Sequence, residues 1–131
     1  MVGLMAMLAL AAGPALTTVA RGPMSAINES KEVVVRSSTE WTALWSAHAG
    51  TQSAPAVDFS TDMVAAVFLG RRATAGFSVE ILEARSEGDV LIIEYAERRP
   101  GRSDIVSQVL TSPFHIVKLP TQTGSVRFQK Q

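Results

Sequence analysis

The chain has 131 residues, 12 basic and 12 acidic side chains, a formal charge of zero and no cysteine. That length supports one modest core and no second domain, and the evenly mixed charges leave no basic stripe for phosphates, so nucleic acid is not an expected partner. The missing cysteines exclude disulfides, thiolate zinc sites, a cysteine nucleophile and a lipid-modified cysteine within this sequence.

Leu4 to Ala12 is a short apolar run, followed by Pro14 and by a small-x-small site at Thr18-Val19-Ala20. The pattern is that of an export signal without a basic n-region, because no charged residue precedes Arg21. Residues 1–20 are therefore expected to be a signal peptide cleaved after Ala20, with 21–30 a polar linker and 31–131 the domain. The run is too short to span a bilayer, so an exported protein with no stable membrane span after processing is expected, whether periplasmic, cell-surface or secreted.

Glu32-Val33-Val34-Val35-Arg36 reads as a β-branched strand. Ser37 and Glu40 then form a capping box, and Trp41, Leu44, Trp45 and His48 fall on one helical face that ends at Gly50. Core packing is the expected role of both indoles. Asp58 is expected to organise the turn ahead of the next strand rather than bind metal. Val64 to Leu69 is an unbroken apolar run, which predicts a strand buried on both faces. Arg71-Arg72-Ala73-Thr74-Ala75-Gly76 follows as a cationic loop, and Phe77, Val79 and Ile81 alternate with polar residues beyond it. A hairpin is predicted there, presenting the two arginines at its tip.

Further along, Val90 to Tyr95 is another strand, and Ala96 to Asp104 is a charged loop that Pro100 keeps out of a ladder. Ile105 to Leu119 reads as two strand segments broken at Ser112-Pro113, and Ser125 to Phe128 as a closing strand. The order β-α-β-β-β-β-β predicts a single α+β domain with one helix packed on a mainly antiparallel sheet.

Catalytic signals are weak. His48 and His115 lie on different predicted elements, no Gly-x-Ser-x-Gly elbow accompanies them, and no His-x-x-x-His spacing or phosphate-cradling glycine motif is present. A non-enzymatic domain without cofactor or metal is expected. Binding residues concentrate on loops that a rigid scaffold holds, and arginine is enriched where interfaces draw their energy. The candidate partner-binding residues are therefore Arg71, Arg72, Thr74, Gly76 and Phe77, with Arg98, Arg99 and Arg102 of the second charged loop.

Five pieces in order resemble one known family: Glu40-Trp41-x-x-Leu44-Trp45-x-x-His48, Pro55-x-Val57-Asp58-Phe59, Met63 to Gly70, Gly76 to Ile81, and Thr111 to Val117. Together they are similar to the C-terminal domain of PrcB-like protease-complex proteins, from about Val33 onward. The resemblance implies a non-catalytic bacterial module, exported, that docks on a larger protein and stabilises or regulates a protease. Thr74-Ala75-Gly76-Phe77 also resembles the loop with which chagasin-like inhibitors enter a protease cleft. The alternative is a small-ligand or cell-envelope carbohydrate binder built on exposed aromatics, and burial of Trp41 and Trp45 distinguishes the two.

Overall fold

The computed structural model describes residues 13–131. The apolar core of the expected leader, Leu4 to Ala12, lies outside the described residues. The elements are β1 (Thr17–Gly22), β2 (Ser30–Val35), α1 (Ser38–Ala49), β3 (Asp62–Leu69), β4 (Ser78–Glu87), β5 (Val90–Arg98), β6 (Phe114–Pro120) and β7 (Ser125–Lys130).

Everything is arranged around β3, which is buried from Met63 to Leu69. It lies inside a four-stranded antiparallel sheet of order β1-β6-β3-β2, so both of its edges are paired. Its two faces meet different partners, as the continuous apolar run requires. Val64, Ala66 and Phe68 point to one side, with Phe114 and Ile116 of β6, and α1 covers them with Trp41, Leu44 and Trp45. Met63, Ala65, Val67 and Leu69 point to the other side, with Val117 and Leu119. There they meet a second sheet of order β4-β5-β7, in which β5 and β7 run parallel. Val79, Ile81, Leu91, Ile93 and Tyr95 complete that core. The domain is thus three layers: helix, sheet, sheet.

The helix forms as its sequence predicts. Ser37 sits in extended backbone and its hydroxyl accepts the Glu40 N–H at 3.2 Å, while the Glu40 carboxylate reaches back to the Arg36 N–H at 3.0 Å. Gly50, at φ 65°, ends the helix and donates its N–H to Ser46. Trp41 and Trp45 are 4% and 7% exposed, and their indole N–H groups donate to the carbonyls of Pro55 and Gln52. Asp58 accepts the Ser60 N–H and hydroxyl, the expected turn chemistry.

Three readings change. First, β3 and β4 do not form a hairpin: each belongs to a different sheet, and the segment between them is a crossover. The reason lies in the edges of β3, which β2 and β6 already occupy, so the chain must leave the sheet to cover its open face. Gly70, at φ 81°, makes that exit, and a Cβ there would stand 2.9 Å from the Ser30 nitrogen. Second, Ile105 to Leu110 pairs with no strand, and the regular part of β6 begins after Pro113. Third, the stretch read as leader end and linker is part of the folded unit. Thr17–Gly22 is strand β1 on the β6 edge, and Ser25 and Ile27 are buried. A cut after Ala20 would fall inside β1.

Candidate docking surface

The crossover from β3 to β4 and the connection from β5 to β6 are built against each other. Arg72 and Thr111 exchange backbone hydrogen bonds of 2.7 and 2.9 Å. The Ala75 N–H donates to the Ser107 carbonyl at 3.0 Å, and the Thr111 hydroxyl donates to the Thr74 carbonyl at 2.9 Å. Gly76, at φ 95°, is pressed under the second loop, and a Cβ on it would lie 2.9 Å from Pro100 Cβ and 3.0 Å from Val106 Cγ1. The contact explains why glycine stands there: both the backbone angle and the close approach exclude a side chain. The Arg71 N–H donates to the Asn28 carbonyl, which ties the end of the connection before β2 into the same cluster.

The structure therefore brings together both charged loops that the sequence singled out, and it divides their arginines into two kinds. Arg72 faces inward. Its Nε and one terminal nitrogen donate to the two carboxylate oxygens of Glu97 at 2.9 and 3.1 Å, a paired fork geometry. Glu97 also accepts from Lys130 Nζ at 3.0 Å. The Arg72 guanidinium, hydrogen-bonded to Glu97, holds that carboxyl at about 2, well below the usual carboxylate range, although burial works in the opposite direction. Arg72 further donates to the Leu69 carbonyl and lies 5.9 Å from the centre of the Phe77 ring. Its first role is to lock the crossover to the end of β5.

Arg71, Arg98, Arg99 and Arg102 face outward. All four are exposed, and none enters an ion pair among the described residues. Thr74 and Phe77 are half-buried, and Gly76 is exposed but wedged. The Thr74 to Phe77 tetrapeptide does not project as a free wedge, because its backbone is held by Ser107 and Thr111 and its glycine is packed against Pro100.

Sequence reasoning missed the apolar component of this surface. Ile105 is fully exposed, and Val109 and Leu110 are 52% and 56% exposed. The apolar residues between Asp104 and Pro113 read as a strand segment, and only the absence of a clean alternation across Ser107-Gln108 hints otherwise.

The histidines have other work. Nδ1 of His115 accepts the Ile81 N–H at 2.8 Å, which fixes the tautomer, so Nε2–H donates to the Thr18 hydroxyl at 2.9 Å. One ring thus ties β6 to β4 of the other sheet and to β1. Burial, with the Arg21 charge behind it, pushes His115 down to about 4. His48 Nδ1 is 2.8 Å from the Ser25 hydroxyl, and its ring stands edge-on to Phe114 at 4.2 Å; burial lowers its pKa as well. The serine hydroxyl also accepts the Ile27 N–H, so the pair anchors the connection between β1 and β2 under the helix.

These features define a small α+β domain whose two layered sheets hold an arginine-rich loop cluster at one end. Residues 63–120, from β3 through β6, match the family model described as PrcB C-terminal, so over that span the chain is similar to the PrcB C-terminal family. That family suggests a protease-complex-associated domain. The matched residues include both loops of the cluster and leave out α1, β1, β2 and β7. No curated protein and no solved structure gives a significant match to the chain.

Proposed function

We propose that this chain is an exported, non-catalytic accessory module that docks on a larger protein, a protease in the first instance, through the cluster formed by residues 71–77 and 98–110. The observation that carries the reading is four exposed arginines without acidic partners among the described residues, three on two loops locked together by main-chain hydrogen bonds and Arg98 at the end of β5. Rigid loops lose little conformational entropy on binding, and arginine forks pair with carboxylates and stack on aromatics. The carbohydrate-binding alternative needs exposed aromatics, and burial of Trp41 and Trp45 takes that platform away. Export rests on the apolar run before Ala12, and β1 favours a mature chain that retains Thr17–Gly22.

The test of docking uses charge reversal at Arg71, Arg99 and Arg102, because Arg72 is committed to Glu97 and its loss would confound stability with binding. Tagged wild-type and triple-reversed domains are incubated with the exported fraction of the native host, and captured proteins are identified by mass spectrometry. A protease held by the wild type and lost from the variant is the expected result. Equal capture by both would refute the surface, and capture of no protease would refute the partner class.

A further inference from the structure

Resting on that reading of the surface, we propose that its occupant is an extended acidic segment of the partner, carrying apolar side chains, which adds as a strand along residues 105–110. Three observations converge on this run. Residues 104–110 contain no turn, bend or helix, and they pair with no strand. Asp104 donates its N–H back to the Gly101 carbonyl, and among the described residues the one backbone hydrogen bond made by residues 105–110 is that from Ala75 to the Ser107 carbonyl. The run is nevertheless fixed at both ends, by Val106 packed on Gly76 and by Thr111 bridged to Arg72. Residues 105–110 are thus an anchored backbone without turn or bend and, apart from the Ser107 carbonyl, unpaired among the described residues, which is what strand addition uses.

The side chains around it state what the added strand should carry. Ile105, Val109 and Leu110 are exposed by half or more, an apolar surface without cover. Arg99 and Arg102 precede the run, and Arg71 and Arg98 lie on the segments joined to it. Asp104 is the acidic group within the run, and its carboxylate is occupied by the Gly101 N–H at 2.6 Å. Apolar residues flanked by unneutralised arginines suit a segment in which carboxylates and branched or aromatic side chains are interspersed. An anionic membrane would also meet arginines and apolar side chains. A membrane is the poorer fit, because hydrocarbon cannot pair the open N–H and C=O groups of residues 105–110, whereas a peptide backbone can.

The test is fluorescence anisotropy with the full chain and a labelled short peptide alternating glutamate and valine. Its comparators are the same peptide with lysine for glutamate, the glutamate peptide with alternate amides N-methylated, and phosphatidylglycerol vesicles. The glutamate peptide should bind, and the lysine and N-methylated peptides at least about tenfold more weakly. A combined Ile105→Ser, Val109→Ser, Leu110→Ser variant should lose at least about tenfold without a change in unfolding midpoint, because these side chains are already exposed. Three outcomes overturn the proposal: no binding of the glutamate peptide, equal binding of its N-methylated form, or binding of vesicles in preference to peptide. If the wild type captures a protease and the serine variant captures it equally, the docking reading stands and the strand-addition inference fails.

Discussion

Two side chains show how far burial and hydrogen-bond partners change a residue's chemistry in this domain. His115 is 4% exposed and neutral, with Nδ1 accepting the Ile81 N–H. Protonation would put a second donor against that N–H and cut the link between the sheets. The folded group titrates at about 4 against an ordinary 6.5, so the unfolded chain binds the proton more readily across that window. Stability should therefore be level above pH about 6.5 and fall as pH drops toward about 4, by roughly 3 kcal/mol from this group. His48, also lowered by burial, adds loss of the same sign. Urea unfolding at a series of pH values checks this, and His115→Asn, whose Oδ1 takes the place of Nδ1 as acceptor of the Ile81 N–H, should flatten the slope. Glu97 acts lower on the scale. Its folded carboxyl titrates at about 2 against an ordinary 4.5, so its contribution is present above about 4.5 and disappears as pH falls through the folded value. Arg72→Ala would leave the 3%-exposed Glu97 carboxylate with Lys130 alone and should cost about 2 kcal/mol at neutral pH, less than for a fully buried pair because Arg72 is itself a quarter exposed. Equal unfolding midpoints for wild type and Arg72→Ala would contradict this account of the ion pair.

Elements differ in how much of them sequence could reveal. The capped helix was legible because its signals are local: Ser37 and Glu40 at cap spacing, two indoles and His48 on one stripe, and Gly50 at the end. Ser37→Ala should lower stability by about 1 kcal/mol in thermal or urea unfolding. The doubly buried β3 was legible for the same reason, from one uninterrupted apolar run. Pairing was not. Which strand β4 would join depends on edges already filled by distant segments, β2 and β6, and a local pattern carries no record of that. β1 was hidden differently, because Thr17 to Gly22 has the small and polar residues of a cleavage region and only its tertiary partners make it a strand. Its importance can be measured. Beyond pairing with β6, it supplies Thr18 to His115 and Arg21, which donates to the Val79 carbonyl at 3.0 Å. A chain beginning at Arg21 should lose cooperative unfolding or several kcal/mol of stability, since the β6 edge and the His115 Nε2–H would both lose their partners. Unchanged unfolding of that chain would show that β1 is dispensable.

At the scale of the molecule, three layers hold a loop cluster that neither sheet could position alone. One loop leaves the four-stranded sheet at β3 and the other enters it at β6, while their far ends belong to β4 and β5 of the second sheet. The cluster is thus a clasp across both sheets, with Arg71 delivered by β3, the best-buried of the described strands, and Arg98, Arg99 and Arg102 by the end of β5. Sequence could nominate Arg71, Arg98, Arg99 and Arg102 from charge and loop context, but it could not separate them from the inward Arg72 or find Ile105, Val109 and Leu110, whose exposure depends on the fold. The central claim is that this clasp, rather than the helix face or the β7 edge, meets the partner. Hydrogen exchange of the full chain, alone and bound to whatever partner the capture experiment returns, tests it most directly. The account predicts new protection concentrated in residues 71–77 and 98–110, with α1 and β7 unchanged. Protection confined to α1 or to Ser125–Lys130, with the clasp exchanging as in the free protein, would contradict it.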